Sequence, residues 1–171
     1  MVKSYKACSC TQCVECCEHY PGWMTIAEAE AALAAGMAGR LMLDWFEPDS
    51  KLKNEERIYV LCPAGRGYEG RAAPSTDDLF SGGFLSAILG DSTPMPCTFL
   101  ENGLCSIHES GFKPLMCRAT MGCGEDDQTI TKHAMVPEWD SARGKAVIAK
   151  WREIVNLPLR LIPIPPATAN F

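Results

Sequence analysis

The stretch Cys10-Thr-Gln-Cys13-Val-Glu-Cys16-Cys17 places four cysteines within eight residues near the start of the chain. Two residues separate each of the first three, and this spacing lets successive thiolates point at one centre, as in zinc knuckles and iron–sulfur sites. Adjacent residues rarely bind one ion, so Cys17 is expected to serve a second metal, to bridge two metals or to pack. Residues 1–23 show little hydrophobic periodicity, which predicts a loop shaped by its metal ligands.

A second group of cysteines follows late in the chain: Cys97, Cys105, Cys117 and Cys123. Asn102-Gly103 stands between two apolar runs, and both residues tolerate positive φ, so a β-hairpin is predicted there. Its two arms carry Cys97 and Cys105, which can face each other across the hairpin. Cys117 follows Pro114 in a segment predicted to be irregular, which can bring its sulfur to the same place.

Ten cysteines in 171 residues raise the alternative of a disulfide framework. The chain is long enough to build a hydrophobic core without cross-links. Its start, Met1-Val-Lys-Ser-Tyr-Lys, lacks the apolar segment of a signal peptide. The protein is therefore expected in the cytoplasm, where disulfides are disfavoured, and metal binding is the preferred interpretation of the cysteines.

The charge of the chain limits the partners that it is expected to have. A net charge of -5 and an isoelectric point near 5.2 argue against nucleic-acid binding, which normally needs a basic face. No run of apolar residues approaches the length of a membrane span, so no membrane partner is expected. The expected partners are metal ions and, for an accessory role, another protein.

Local patterns predict several secondary structure elements. Thr25-Ile-Ala-Glu28 is a capping-box pattern, which predicts a helix over residues 26–35 that stops at Gly36. A helical restart is predicted over residues 37–43. Residues 57–62 are rich in strand formers and predict a β-strand.

The second half of the chain adds two predicted helices. One is short and covers residues 77–89, and the other is capped by Asp140 and runs to about Val155. A proline-rich, extended tail is predicted from about residue 157. Together the patterns predict one α+β domain over residues 1–171, a small irregular metal-stabilised fold with a β-hairpin and a few helices around a cysteine cluster.

Two motifs in this order resemble the CxxCxxCC family of zinc- or iron-chelating domains. The first is the run that ends at Cys16-Cys17, followed by Met24-Thr-Ile-Ala-Glu28; the second is Cys105-Ser-Ile-His108, preceded by Cys97 and followed by Pro114-Leu-Met-Cys117-Arg118. Residues 29–96 follow no pattern of that family. The resemblance implies metal ligands at these cysteines, with Cys123 taken as the eighth: Cys10, Cys13, Cys16, Cys17, Cys97, Cys105, Cys117 and Cys123.

The remaining candidates are weighed against ordinary packing roles. Cys8 and Cys62 lie outside the two motifs and are expected to pack, with Cys8 the first substitute ligand. His108 is expected to be a packed ring rather than a ligand. Arg118 directly follows a ligand candidate, and both a hydrogen bond to sulfur and a surface salt bridge remain open for it.

The identity of the bound metal stays open: zinc and an iron–sulfur cluster such as [4Fe–4S] both fit the cysteines. Eight thiolates would make two closed four-thiolate zinc sites or a shared cluster, but the second group lacks a C-x2-C knuckle. The first run with a distant fourth cysteine resembles a ferredoxin arrangement, but no Cys-Pro follows it and no second run exists. The spacing slightly favours iron–sulfur.

Three functions are compatible with these residues. The first is a metal module with a structural, redox or accessory role. The second is an enzyme related to the flagellin lysine N-methylase relatives of the family, which would imply S-adenosylmethionine as a cofactor and rests on the resemblance alone. The third is metal storage or delivery. Catalytic residues stay unknown, because the sequence contains no P-loop, no dinucleotide-binding fingerprint and no identifiable nucleophile with its base.

Overall fold

The computed structural model describes residues 9, 11–19, 22–46, 58–72, 96–119 and 132–157. These residues form helices and short antiparallel strands, in agreement with the predicted α+β class. The helices are α1 (Thr11–His19), α2 (Ile26–Ala34), α3 (Leu115–Ala119), α4 (Lys132–Trp139) and α5 (Ala142–Val155). The strands are β1 (Leu41–Phe46), β2 (Ile58–Pro63), β3 (Leu100–Glu101) and β4 (Leu104–Cys105). None of the helices in the described ranges is long and apolar enough to span a membrane.

Helix α2 begins and ends where its local signals place it. The Thr25 hydroxyl accepts a hydrogen bond from the Glu28 N–H at 3.2 Å, and the Glu28 carboxylate accepts from the Thr25 N–H at 2.9 Å. This is the predicted capping box, which satisfies two N–H groups that have no partner within the helix. After Ala35, the chain turns at Gly36 with φ of 76°, so the predicted stop is also confirmed.

The predicted helical restart over residues 37–43 is wrong. A single 3-10 turn, Ala38–Arg40, leads directly into β1, which pairs antiparallel with β2 in a register that sets Leu43 opposite Leu61. Leu41, Met42 and Leu43 are all buried, so the strand is covered on both faces and shows no alternation of apolar and polar residues. Periodicity cannot separate such a run from a buried helix. The strand predicted at residues 57–62 is confirmed as β2.

Three buried tryptophans join the helices to the strands. The indole N–H of Trp139 donates to the Met24 carbonyl at 2.8 Å, and that of Trp151 donates to the Ala38 carbonyl at 2.9 Å. The indole N–H of Trp23 donates to the Asp44 carboxylate of β1 at 2.6 Å. Each ring is therefore buried with its polar atom satisfied, as large amphipathic side chains in a core require.

The last two helices differ in part from the prediction. Ser141, not Asp140, caps α5: its hydroxyl accepts from the Gly144 N–H at 3.1 Å, and Asp140 instead pairs with Lys145 at 2.8 Å. The end of α5 at Val155 is as predicted. Helix α4 was not predicted, because it contains Pro137 and has no apolar periodicity. The helix predicted over residues 77–89 and the tail beyond residue 157 lie outside the described residues.

Among the cysteine-bearing segments, the hairpin prediction is confirmed, whereas the loop predicted at residues 1–23 and the irregular segment predicted at Cys117, which is helix α3, are wrong. In the hairpin β3–β4, Asn102 has φ of 52° and Gly103 has φ of 75°, the signature of a type I′ turn, so the predicted hairpin is confirmed. The loop predicted for residues 1–23 is wrong over Thr11–His19, which is helix α1. Cysteine packs as a small apolar side chain, so Cys13 and Cys17 supply part of a helical stripe that metal-ligand reasoning overlooked.

Candidate metal centre

The end of α1 meets the start of the second cysteine group through the backbone. The Cys97 N–H donates to the Cys17 carbonyl at 2.7 Å, and the next N–H, that of Thr98, donates to the Ala64 carbonyl at 2.8 Å. Cys97 is buried and Cys17 is half-buried. The backbone therefore brings the end of the first cysteine run to the start of the second group and anchors the second group to the chain that follows β2.

Burial dominates the electrostatics of the Cys97 thiol. It raises the pKa of this thiol to about 12, and the nearby thiols of Cys17 and Cys105 add to the increase, because neighbouring thiolates repel each other. A hydrogen bond from the backbone of Phe99 and the positive charge of Arg40 act in the opposite direction. The thiol of Cys97 thus lies close to two other predicted ligands.

The Cys117 thiol lies in the same neighbourhood. Burial raises its pKa, and the thiols of Cys97 and Cys17 again add to the increase. A hydrogen bond from the Gly22 backbone and the ammonium of Lys113 favour the thiolate and lower the pKa in part. The charge of Cys97 is therefore felt by Cys117, that of Cys17 is felt by both, and Cys105 acts on Cys97.

The chemistry of these thiols fits a metal bound by thiolates. Backbone N–H groups of Phe99 and Gly22 already point at two of the sulfurs, and such hydrogen bonds stabilise thiolate ligands and tune the metal that they hold. Within the described ranges, no three or more His, Cys, Asp or Glu side chains form a group that could hold a metal ion. No disulfide bond joins the cysteines that the structure describes.

The other predicted ligands are placed to different extents. Cys13 is buried one helical turn before Cys17, on the same face of α1. Cys16 also belongs to α1, and its side chain is outside the described atoms. Cys10 and Cys123, and the substitute candidate Cys8, lie outside the described residues.

Glycine at position 22 allows the close approach of Cys117, and sequence reasoning did not single it out. A Cβ atom built on Gly22 would lie 2.7 Å from the Cys117 sulfur and 2.9 Å from the Cys117 backbone nitrogen. Both distances are too short for a side chain to exist there without displacing the thiol. The only signal in the sequence was the Pro21-Gly22 dipeptide, which indicates a turn and not a contact with a residue far along the chain.

We expect Gly22→Ala to weaken metal binding markedly, because the new methyl group pushes the Cys117 sulfur out of place. Gly39→Ala is the matched control, since a Cβ at Gly39 meets no atom within 4 Å and its backbone conformation suits alanine. Metal content after dialysis against a weak chelator would compare the two variants. Equal metal retention by both would contradict the position assigned to Cys117.

A buried carboxylate holds the helix that carries Cys117. Glu28 accepts a hydrogen bond from the Leu115 N–H, at the start of α3, at 3.0 Å, and it forms an ion pair with Arg118. Arg118 also donates to the Lys113 carbonyl at 2.9 Å. Of the two roles left open for Arg118, the ion pair is observed, but it is not at the surface, because the carboxylate that pairs with Arg118 is only 6% exposed. This pair joins the two motifs to each other.

Two further residues occupy the places expected for packed side chains. His108 has only 6% of its side chain exposed, and its Nδ1 lies 2.9 Å from the Lys113 ammonium nitrogen, so it is a packed, hydrogen-bonded ring. Cys62 is fully buried in β2, with its sulfur 3.9 Å from the Met42 carbonyl. Both agree with the packing roles predicted from the sequence.

Comparison of the chain with known protein families, curated proteins and solved structures finds no match.

Proposed function

We propose that this protein holds an iron–sulfur cluster or zinc through thiolates, as a structural or redox module of the cytoplasm. The supporting observation is the proximity of the thiols of Cys17, Cys97 and Cys117, of which Cys97 is buried and the other two are half-buried. Without a cation nearby, such thiols stay protonated near neutral pH because burial disfavours the thiolate. A bound metal ion would reverse this balance and keep the sulfurs deprotonated.

The proposed ligand set extends beyond these thiols and that of Cys105. Cys10, Cys13, Cys16 and Cys123 would bring the number of thiolates to eight, enough for two four-thiolate zinc sites or for a cluster with further ligands. Support for this larger set comes from the spacing of the first run and from the resemblance to the CxxCxxCC family. The connection between Cys17 and Cys97 is consistent with a centre shared by both motifs.

The test is the composition of protein purified without oxygen. An iron–sulfur cluster would give a brown protein that contains iron and acid-labile sulfide, whereas zinc has a filled d shell and gives a colourless protein. Zinc found after aerobic handling would not identify the native metal, because thiolates accept both metals. Zinc that persists after anaerobic reconstitution with iron and sulfide would identify zinc as the native metal.

A pair of cysteine variants makes this test specific to the site. We expect Cys117→Ala to lose most of the bound metal, because it removes a thiol of the interacting group. Cys62→Ala is the matched control, because Cys62 is also buried but belongs to the hydrophobic core. Full metal content in Cys117→Ala, or a folded wild-type protein that takes up neither metal, would overturn the proposal.

A further inference from the structure

An arginine outside both cysteine motifs joins the start of the sheet to the segment of Cys97. Arg40 ends the 3-10 turn before β1, and its carbonyl accepts hydrogen bonds from the Ala64 N–H at 2.9 Å and from the Thr98 hydroxyl at 3.1 Å. The first donor belongs to the chain that follows β2, and the second belongs to the residue after Cys97. The backbone of Arg40 thus ties the sheet to a segment that carries a predicted metal ligand.

The guanidinium of Arg40 returns to the same segment. Its terminal nitrogen Nη2 donates to the Thr98 carbonyl and, at 2.8 Å, to the Glu101 carboxylate. The guanidinium carbon lies over the ring of Phe99, 4.2 Å from the ring centre. A planar guanidinium can stack on a ring and donate hydrogen bonds at its edge at the same time, which an ammonium does not reproduce. Arg40 and Thr98 are therefore joined in both directions, each through its side chain to the carbonyl of the other.

The buried contacts of this arginine matter more than its ion pair. Thr98 and Phe99 are buried, whereas Glu101 has half of its side chain exposed. Ion pairs at such exposed sites are screened by water and contribute little. A hydrogen bond to a buried carbonyl is costly to lose, because water cannot take the place of the donor. Arg40 therefore acts on the hairpin segment mainly at Thr98 and Phe99.

Fixing Thr98 also restricts Cys97, its neighbour in the chain. The Cys97 N–H donates to the Cys17 carbonyl at 2.7 Å, and Cys97 pairs with Gly65 in an isolated antiparallel bridge. Cys97 is thus held by backbone pairing on one side and by the contacts of Arg40 with Thr98 on the other. The place of its buried sulfur depends on both sets of contacts.

We propose that Arg40 is a positioning residue of the metal centre: its guanidinium clamps Thr98 and Phe99 and thereby sets the place of the Cys97 sulfur. This inference rests on the proposed function and extends it to a residue outside the cysteine motifs. The charge of Arg40 also lowers the pKa of the Cys97 thiol in part, in agreement with a guanidinium near that sulfur. Arg40 binds no metal itself and acts through Cys97.

The test uses cobalt(II) in place of zinc, since thiolates accept several divalent metals. Absorption from cobalt–thiolate charge transfer increases with the number of thiolates bound, so it counts the sulfurs that reach the ion. For an ion held by four thiolates, Arg40→Met should lose about a quarter of this absorption per bound ion, the same loss as in Cys97→Ala. Its cobalt affinity, measured by competition with a chelator, should fall by roughly tenfold to a hundredfold. An arginine that only stabilised the fold would lower the melting temperature and leave the absorption per bound ion unchanged.

Two further variants isolate the contribution of the planar group. Arg40→Lys keeps the positive charge without the planar guanidinium, so its absorption should also fall short of that of the wild type. Arg143→Met is the matched control, because Arg143 is 61% exposed and its ion pair with Glu30 joins α5 to α2 instead of holding the segment of Cys97. Its absorption and cobalt affinity should equal those of the wild type.

The outcomes separate this inference from the proposed function. If the wild type binds cobalt and Arg40→Met shows the same absorption per ion, only the role of Arg40 fails. If the wild type binds neither cobalt, zinc nor iron, the proposed function fails as well. Full absorption in Arg40→Lys would show that the planar clamp is not needed and would overturn the inference. Should Arg40→Met not fold, Arg40→Lys decides, since reduced absorption supports the clamp.

Discussion

In protein loaded with the proposed metal, chelation under anaerobic conditions is expected to open the segments around Cys97 and Cys117 and to leave the sheet of β1 and β2 folded. The sheet belongs to a hydrophobic core with three buried tryptophans, whereas the cysteine segments are expected to depend on the centre that they share. Structural zinc contributes about 10–16 kcal/mol to the folding of zinc-finger peptides. That is comparable with the whole stability of a typical domain, about 5–15 kcal/mol, so loss of the metal should have the largest effect on the segments that hold it.

Backbone hydrogen exchange is the measurement that separates the two parts. The amide of Cys97, which is bonded to Cys17, and that of Leu115, bonded to Glu28, should exchange much faster after chelation. The amides of Met24 and Leu43, bonded to the carbonyls of Leu61 and Arg71, should stay protected. Metal added back should restore the first pair, since folding and binding are coupled.

Two controls make the exchange result decisive. Cys62→Ala should respond to the chelator as the wild type does, because its thiol belongs to the core. Cys117→Ala should exchange rapidly at the same amides before any chelator is added. Protection of Cys97 and Leu115 that is the same with and without metal would contradict a structural role for the centre.

Local signals in the sequence were sufficient where backbone conformation depends on neighbouring residues. The capping box of Thr25 and Glu28 and the Asn102-Gly103 turn each act within four residues, so α2 and the hairpin were predicted correctly. Helix α1 and strand β1 were not predicted, because whether these segments form a helix or a strand depends on burial against distant parts of the chain. In β1 both faces are covered, and in α1 the apolar stripe consists partly of cysteines that pattern reasoning reserved for metal.

In the candidate site, too, local features were predicted and long-range contacts were missed. The spacing of the cysteines indicated convergence only within each group, and the structure adds the backbone hydrogen bond between Cys97 and Cys17 that links the two groups. The residues that position the thiols were missed, because they act over long separations: Glu28 and Arg118 stand 90 residues apart, and Gly22 touches Cys117. A single sequence contains no signal that pairs residues at such distances. Each of these residues also has a plausible local role: Glu28 as a helix cap, Arg118 as a surface ion pair and Gly22 as a turn residue. These local roles gave no reason to expect a distant contact.

Glu28→Ala is expected to destabilise the protein by about 3–5 kcal/mol, the cost of breaking a buried ion pair by removing one partner. The carboxylate accepts from the N–H groups of Thr25 and Leu115 and pairs with Arg118, so its loss leaves two backbone donors and a guanidinium without their acceptor. Glu28→Gln keeps the shape and one acceptor oxygen, and it should fall between Glu28→Ala and the wild type. Urea unfolding of the metal-loaded protein measures all three, provided that the slope with urea concentration is unchanged.

Glu30→Ala is the matched control, since Glu30 lies on the same helix and also pairs with an arginine, Arg143, but at a solvent-exposed site. Water screens that pair, so its removal should change the stability little. The two variants should differ in metal retention as well, because only Glu28 holds the start of α3, from which Cys117 reaches the centre. If Glu28→Ala and Glu30→Ala lowered the stability equally and kept the same metal, the carboxylate would be an ordinary helix cap. A large loss of both stability and metal in Glu28→Ala alone would show that it anchors one cysteine motif to the other.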